Sequence, residues 1–324
     1  MSFLPWLDPH YSQLVVLLDG AADEPNPLLG GLTPFQAAKM PALRKLIAQT
    51  TVGRIATIPD GCQAGSEVAN LSILGYAQEA ASVEGRAGFE ALGIGLHLPP
   101  GTVCYRCDLP IYPDSLEIPL SIGLLQKGIA HRHLFVPAMQ TGEEAAIKAL
   151  KQAVERQYGL PRPRLWGRSV IRDLNLEPFI HRHAMSAAMI SAVPVMWGIG
   201  IALGMKDERV AGATGDIDSD FAAKAHRAIC MLEHCQFVYL HIEGPDEASH
   251  RCNPYEVRDV LERIDREVIT IAADWWQQND KSGRQRALTI LPDHYTSSIS
   301  GKHLSWPVPY IHLRQGDGRT QPIH

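Results

Sequence analysis

Gln13-Leu-Val-Val-Leu-Leu-Asp19-Gly20 carries five consecutive apolar residues closed by an acid and a glycine. So short and continuous an apolar run reads as a strand buried on both faces of a parallel sheet. Its C-terminal end presents Asp19, at the edge where open α/β sheets bind ligands. Working outward, Thr33-Pro34 opens a helix and Pro41 sits at the favoured first position of another. A second strand is expected over 52–58, and Gly65-Ser66-Glu67 begins a helix that runs to Gly75. In the second half the pattern predicts a strand at 188–193, a helix near 198–205 and a helix at 219–234. A strand at Phe237–Ile242, a helix at 254–278 and strands at 287–291 and 308–313 follow. Strands alternating with helices predict an α/β fold with a mostly parallel sheet covered by helices on both faces.

Between these halves the texture changes. Prolines cluster at 99, 100, 110, 113, 119, 161 and 163, and short strands alternate with helical patterns, of which 145–158 is the clearest amphipathic helix. The reading is a core of 1–76 and 186–324 with a smaller α+β domain inserted at 77–185. A chain of 324 residues has room for both.

Composition narrows the function classes. With 45% apolar and 20% charged residues the chain cannot be disordered throughout. A net charge of -5, from 35 acids and 30 bases, argues against coating nucleic acid or adhering to an anionic membrane. The uncharged stretch 184–205 is long enough to span a bilayer, but Pro194, Gly198, Gly200 and Gly204 break it into core pieces. No basic segment followed by an apolar one opens the chain, so the expectation is a cytoplasmic protein whose six cysteines are reduced thiols. Cys104-x-x-Cys107 is only half of a zinc pattern. Composition leaves the oligomeric state open.

The 14 histidines, most of them in the second half, give the first chemical hint, because histidine is the commonest metal ligand. Strand 237–242 runs into Glu243-Gly-Pro-Asp246-Glu-Ala-Ser-His250, and the strand ending at Leu291 runs into Pro292-Asp293-His294, with His303 nine residues on. Asp246 and His250 share one helical face. Together with Asp19 and Ser66 these make seven oxygen and nitrogen donors at strand ends or a helix start. Mixed carboxylate and imidazole donors suit manganese, zinc or magnesium. The number exceeds one tetrahedral site and fits two adjacent ions, the arrangement that stabilises attacking and leaving oxygens in phosphoryl displacement. Each element alone has a plainer reading: Asp19 as a turn cap, Ser66 as a helix cap, Asp293-His294 as turn residues.

At these residues the sequence resembles the cofactor-independent phosphoglycerate mutases of the archaeal type, within the alkaline phosphatase superfamily. The resemblance is carried by Leu-Leu-Asp19-Gly-Ala-Ala-Asp, Gly-Leu-Thr-Pro-Phe-Gln-Ala-Ala and Gly65-Ser66-Glu-Val-Ala-Asn-Leu-Ser-Ile-Leu-Gly-Tyr. Glu84-Gly-Arg86-Ala-Gly-Phe-Glu-Ala-Leu-Gly and Tyr105-Arg106-Cys107-Asp108 continue it, then Ile190-Ser-Ala-Val, Gly-Ile-Gly, Gly212-Ala-Thr-Gly, Pro245-Asp246-Glu-Ala-Ser-His250 and Pro292-Asp293-His294. It implies an alkaline-phosphatase-like core and interconversion of 3- and 2-phosphoglycerate through a phosphoserine at Ser66. It further implies that Asp246, His250 and His303 hold one metal, and that Asp19, Asp293, His294 and Ser66 hold the other, with manganese first and magnesium or zinc as alternatives. Arg86 and Arg106 become candidates for gripping substrate carboxylate or phosphate. The implied partner is a small phosphorylated metabolite.

Two departures open an alternative. The segment 109–125 holds no lysine or arginine, where family members acting as mutases usually carry an arginine-rich stretch. Trp197 precedes Gly198-Ile199-Gly200, where the family commonly has a basic residue. A mutase must retain and reorient its glycerate while excluding water. With fewer cations the same residues could serve a metal-dependent phosphatase or phosphotransferase acting on another small phosphorylated metabolite. A non-catalytic metabolite-binding protein is the alternative from a different class.

Overall fold

The structure is a computed structural model that describes residues 4, 6–96, 99–108, 124–127, 132–136, 143–158, 164–170, 175–278 and 283–316. The chain forms two compact units. One comprises Met1–Ala81, Glu177–Val193 and Leu203–His324; the other comprises Ser82–Leu176 and Pro194–Ala202. The helix at Pro194–Ala202 thus groups with the intervening segment, whereas the sequence reading gave it to the core.

In the first unit a seven-stranded sheet has β1 (Tyr11–Leu18) at its centre, with strands numbered along the chain. Parallel to β1 on one side is β10 (Gln285–Leu291), and on the other β9 (Phe237–Ile242), β7 (Ala187–Ile190) and β8 (Lys206–Glu208). Beyond β10, β13 (Val308–Arg314) runs antiparallel to it, and β2 (Gly53–Ile55) pairs antiparallel with β13 at the edge, so that β2 runs in the direction of β1. The sheet is therefore mostly parallel. Register matters for the site: Leu17 pairs with Leu291 and Leu18 with Ile242, so the residues that follow β1, β9 and β10 emerge together at one edge.

Alternation within the strands builds two covered faces. Leu14, Val16 and Leu18 with Val238, Leu240, Leu288 and Ile290 join an apolar cluster with Phe221, Ala225 and Ala228 of α9 (Phe221–Met231). The same cluster takes Val257, Val260, Leu261 and Ile264 of α11 (Pro254–Ile264) and Ala272 and Trp275 of α12 (Thr270–Gln277). On the opposite face Tyr239 donates to Asn70 of α3 (Ser66–Ile73) at 2.6 Å. The single helix expected over 254–278 is two helices joined by a π turn, Asp265–Ile269. Buried Asp265 in that turn accepts from the N–H groups of Ala42 (2.9 Å) and Leu43 (2.8 Å), capping α2 (Pro41–Ile47), which follows the short α1 (Pro34–Ala37). A distant carboxylate thus supplies the cap that Met40, at the N-cap position, does not. Arg182 of α7 (Phe179–His183) pairs with Glu177 and with Glu79 of α4 (Ala77–Ala80), its guanidinium 4.1 Å above the Tyr76 ring.

The second unit holds an antiparallel sheet in the order β4 (Leu124–Lys127), β5 (Arg132–Val136), β3 (Val103–Asp108), β6 (Arg164–Val170). With it go α5 (Ala87–Gly93), α6 (Glu143–Tyr158) and α8 (Pro194–Ala202). The helix expected near 198–205 therefore starts earlier, because Pro194 occupies a first-turn position where its missing N–H costs nothing. At Gly198 a Cβ would fall 1.8 Å from the Phe89 carbonyl oxygen, so only glycine lets α8 approach α5 this closely. Most of the cation-free segment 109–125 lies outside the described residues. Among the described residues no helix is long and apolar enough to cross a membrane.

One buried group makes stability depend on pH. His312 of β13 faces Thr289 Oγ1 through Nδ1 (2.8 Å), while its Nε2 accepts from Arg314 Nε (3.0 Å), which fixes a neutral ring. Burial and the Arg314 charge push its pKa from 6.5 down to about 3. A folded-state pKa below the unfolded one means the unfolded chain binds more protons between those values. This contribution to stability is therefore complete above pH 6.5 and is lost as pH falls toward 3. Urea unfolding at pH 8 and pH 5 should show the unsubstituted chain losing about 2 kcal/mol more than His312→Gln over that interval. Equal losses would contradict the assignment.

Candidate metal centre

The C-terminal edge of the parallel strands collects every donor singled out in the sequence. Asp19 follows β1, and Asp246 and His250 lie on α10 (Gly244–His250), directly after β9. Asp293 and His294 lead from β10 to β11 (Tyr295–Thr296), and His303 opens β12 (His303–Leu304), which pairs with β11. Ser66 is the first residue of α3.

Two overlapping groups result. Donor atoms of Asp246, His294 and His303 lie within 4.8 Å of one another, and so do those of Asp19, Asp293 and His294. His250 joins the first group, with Nε2 3.2 Å from Asp246 Oδ2 and 3.0 Å from His303 Nε2. His303 Nε2 is 3.4 Å from Asp246 Oδ1. His294 Nε2 is 3.3 Å from Asp293 Oδ2, 3.6 Å from Asp19 Oδ1 and 3.4 Å from Ser66 Oγ. His294 thus stands between both groups, its ring stacked on His303 at 4.0 Å.

The surroundings aim these donors. His250 Nδ1 is 2.8 Å from the Gly301 carbonyl and His303 Nδ1 is 3.3 Å from that of Ala64. With each Nδ1 facing a backbone carbonyl, each Nε2 is turned inward, where it would offer its lone pair to a bound cation as metal-binding imidazoles do, in place of the proton it shares with Asp246. Asp293 Oδ1 accepts from the N–H groups of Gly20 (3.0 Å) and His294 (2.9 Å). Asn70, one turn along α3 from Ser66, donates to Asp293 Oδ2 (3.1 Å) and to the Ser66 carbonyl (2.8 Å). Thr296 donates to Asp246 Oδ1 at 2.6 Å. Gly20 has φ +60°, and a Cβ there would lie 2.3 Å from Asp246 Oδ1, so the turn after β1 admits no side chain.

Electrostatics then decides what the site holds. Burial raises the Asp19 carboxyl well above its usual range, and the nearby charges of Asp293 and Asp246 push it the same way. Asp246 is also buried, but hydrogen bonds from His250 and His303 keep its carboxyl well below the usual range. The Asp246 hydrogen bond lifts His250 to about 9. Asp19 Oδ1 is buried and accepts no hydrogen bond among the described residues. Two inward imidazole nitrogens 3.0 Å apart and three buried carboxylates, one of them with an oxygen that accepts no hydrogen bond among the described residues, form a donor set that fits divalent cations.

Arg86 and Arg106 lie in the second unit. Arg86 precedes α5 at its N-cap. Arg106 is buried on β3, with Nε 3.3 Å from Glu90 Oε2 and its guanidinium 4.2 Å above the Trp166 ring. Sequence reasoning passed over His241, Glu243 and Lys224, three buried ionisable residues behind Asp19. The available signal was a histidine inside the apolar strand Phe-Val-Tyr-Leu-His-Ile and a lysine on the apolar side of a helix.

Comparison with known proteins adds the lineage. The model of the Metalloenzyme superfamily matches residues 12–321. The 2,3-bisphosphoglycerate-independent phosphoglycerate mutase 2 of Methanothermobacter thermautotrophicus is 30% identical, over 94% of this chain and 89% of that protein. The 2,3-bisphosphoglycerate-independent phosphoglycerate mutase of Methanosarcina barkeri is also 30% identical, over 93% and 89%. Among solved structures, a protein of Pyrococcus horikoshii matches with a TM-score of 0.70 at 26% identity, over 94% of this chain and 86% of that one. The cofactor-independent phosphoglycerate mutase of Thermoplasma acidophilum shares the fold, with a TM-score of 0.60 at 20% identity over 95% and 90%.

Removing one imidazole should reveal the metal directly. Calorimetric titration with manganese should show His250→Ala binding at least about tenfold more weakly at the Asp246 group, the loss typical even of outer-sphere changes. Titrations that superimpose on those of the unsubstituted chain would remove His250 from the ligand set.

Proposed function

This chain belongs to the metalloenzyme superfamily, within it to the archaeal-type 2,3-bisphosphoglycerate-independent phosphoglycerate mutases, and on that premise we propose that it interconverts 3- and 2-phosphoglycerate through a phosphoserine at Ser66. Two divalent ions would be held, manganese first, with magnesium or zinc as alternatives: one by Asp246, His250 and His303, the other by Asp19, Asp293, His294 and Ser66. The observation that carries the reading is the Ser66 hydroxyl at the N-terminus of α3, 3.4 Å from His294 and beside both donor groups.

Bound there, divalent ions favour the serine alkoxide and screen phosphoryl charge. Ser66 gives up its hydroxyl proton and attacks phosphorus, the bond from phosphorus to the glycerate oxygen breaks, and that oxygen takes up a proton. The other glycerate hydroxyl then gives up its proton and attacks the phosphoserine, the bond from phosphorus to the Ser66 oxygen breaks, and Ser66 takes a proton back. The first N–H groups of α3 and the positive end of its dipole favour the phosphoryl group throughout. Asn70 keeps Ser66 in place through its carbonyl and Asp293 through its carboxylate. Arg86 and Arg106 are the guanidinium groups proposed to grip the substrate anion.

Water is the competitor at the phosphoserine stage, and a specific observation favours a second reading, a phosphatase. Arg106 already shares its charge with Glu90 and stacks on Trp166, which leaves less of it for a departing glycerate. Buried Trp197 supplies no cation either.

One assay decides between them. With manganese and 3-phosphoglycerate, the unsubstituted chain should form 2-phosphoglycerate and release no phosphate, and Ser66→Ala should do neither. Phosphate without the isomer would establish the phosphatase. Unchanged turnover in Ser66→Ala would remove the covalent route.

A further inference from the structure

Behind Asp19 run three buried ionisable side chains in line, Lys224, Glu243 and His241, which alternate basic and acidic. Lys224 of α9 is fully buried, its ammonium 2.5 Å from Glu243 Oε2. The other Glu243 oxygen accepts from Ser191 Oγ and from the Ala192 N–H, both at 2.7 Å, and lies 3.1 Å from His241 Nδ1. His241 Nε2 in turn faces Asp19 Oδ2 at 3.1 Å. His241 pairs in register with Leu17, on the face opposite the main apolar cluster, whereas α9 packs into that cluster. Glu243, one residue past the end of β9, joins the two across the sheet edge.

Such a chain is an expensive way to fill a core. A buried ion pair seldom outperforms apolar residues of similar volume, because desolvation offsets the attraction. What distinguishes this one is its far end. A carboxylate faces each ring nitrogen of His241, Glu243 at Nδ1 and Asp19 at Nε2, the latter at ion-pair distance though outside hydrogen-bond geometry, and the two together fix the ring plane. Asp19 Oδ2 is then the oxygen turned toward protein, and Oδ1, without a hydrogen-bond donor among the described residues, is the one left over.

We propose that Lys224, Glu243 and His241 form a positioning relay that holds Asp19 with Oδ1 presented to a divalent cation, His241 acting as a positioning residue and not as a ligand. The proposal rests on the two-ion reading above and deepens it. Partners that orient a ligating group typically change metal affinity about 10- to 100-fold when removed. Within the relay the effect should fall on the ion at Asp19 and spare the one at Asp246, His250 and His303, where a general loosening of the fold would weaken both.

The test is calorimetric titration of the metal-free full chain with manganese, beside urea unfolding of the metal-free proteins. His241→Leu should weaken one of two binding events about 10- to 100-fold and leave the other unchanged. His241→Gln, which keeps an N–H for Asp19, should recover most of the loss, and Lys224→Met should weaken the same event. If His241→Leu does not fold, His241→Gln and Lys224→Met carry the comparison alone, with the same selective loss required of Lys224→Met. Two events of unaltered affinity in the variants would overturn the relay while leaving the two-ion reading intact. Equal weakening of both events would make the role structural and overturn it as well. If the unsubstituted chain takes up no manganese, the two-ion reading fails and the relay falls with it.

Discussion

Three aspartates packed at one sheet edge, all buried, repel one another, and the rest of the active unit is arranged around that repulsion. Burial favours the protonated form of Asp19. Imidazoles hold Asp246 ionised, but Asp19 is pushed the other way by burial and by its two neighbours. Positive charge is needed to keep Asp19 charged beside the other two, and the donor set suggests its form. Oxygen and nitrogen donors, inward imidazole nitrogens and a carboxylate oxygen without a hydrogen bond among the described residues suit divalent cations and would leave a monovalent side chain poorly used. A serine hydroxyl placed in that field, at a helix N-terminus, meets the requirements of a nucleophile for phosphoryl transfer.

The parallel sheet is what makes the convergence possible. Strands β1, β9 and β10 end in register, so three separate stretches of sequence deliver acids to one edge without long loops. Backbone groups then do much of the aiming: the Gly301 and Ala64 carbonyls orient two histidines, and the Gly20 N–H holds Asp293. Because those partners are backbone, they do not depend on the side chain at Gly301, Ala64 or Gly20, while Asn70 and Thr296 add side-chain bonds to Asp293 and Asp246.

Much of this was legible in the chain itself. The apolar run ending at Asp19, the Asp-x3-His spacing and Pro292-Asp293-His294 each announced a donor at a strand or helix boundary, and the resemblance to a family ordered them into roles. Direction was not legible, since nothing in residues 308–314 distinguishes an antiparallel strand from another parallel one. Nor was the start of α8, because a proline that breaks a helix interior is welcome in its first turn. The relay escaped for a different reason. His241 sits within an apolar strand and Lys224 within an amphipathic helix, where periodicity reads them as an exception and a surface charge. Only the fold shows that Glu243 joins them.

The most direct test of the central claim, that the buried carboxylates exist to hold two cations beside Ser66, is anomalous diffraction from crystals grown with manganese. The account predicts two peaks, one within bonding distance of Asp246, His250 and His303, the other within bonding distance of Asp19, Asp293 and His294. A single peak, or peaks away from these side chains, would contradict it.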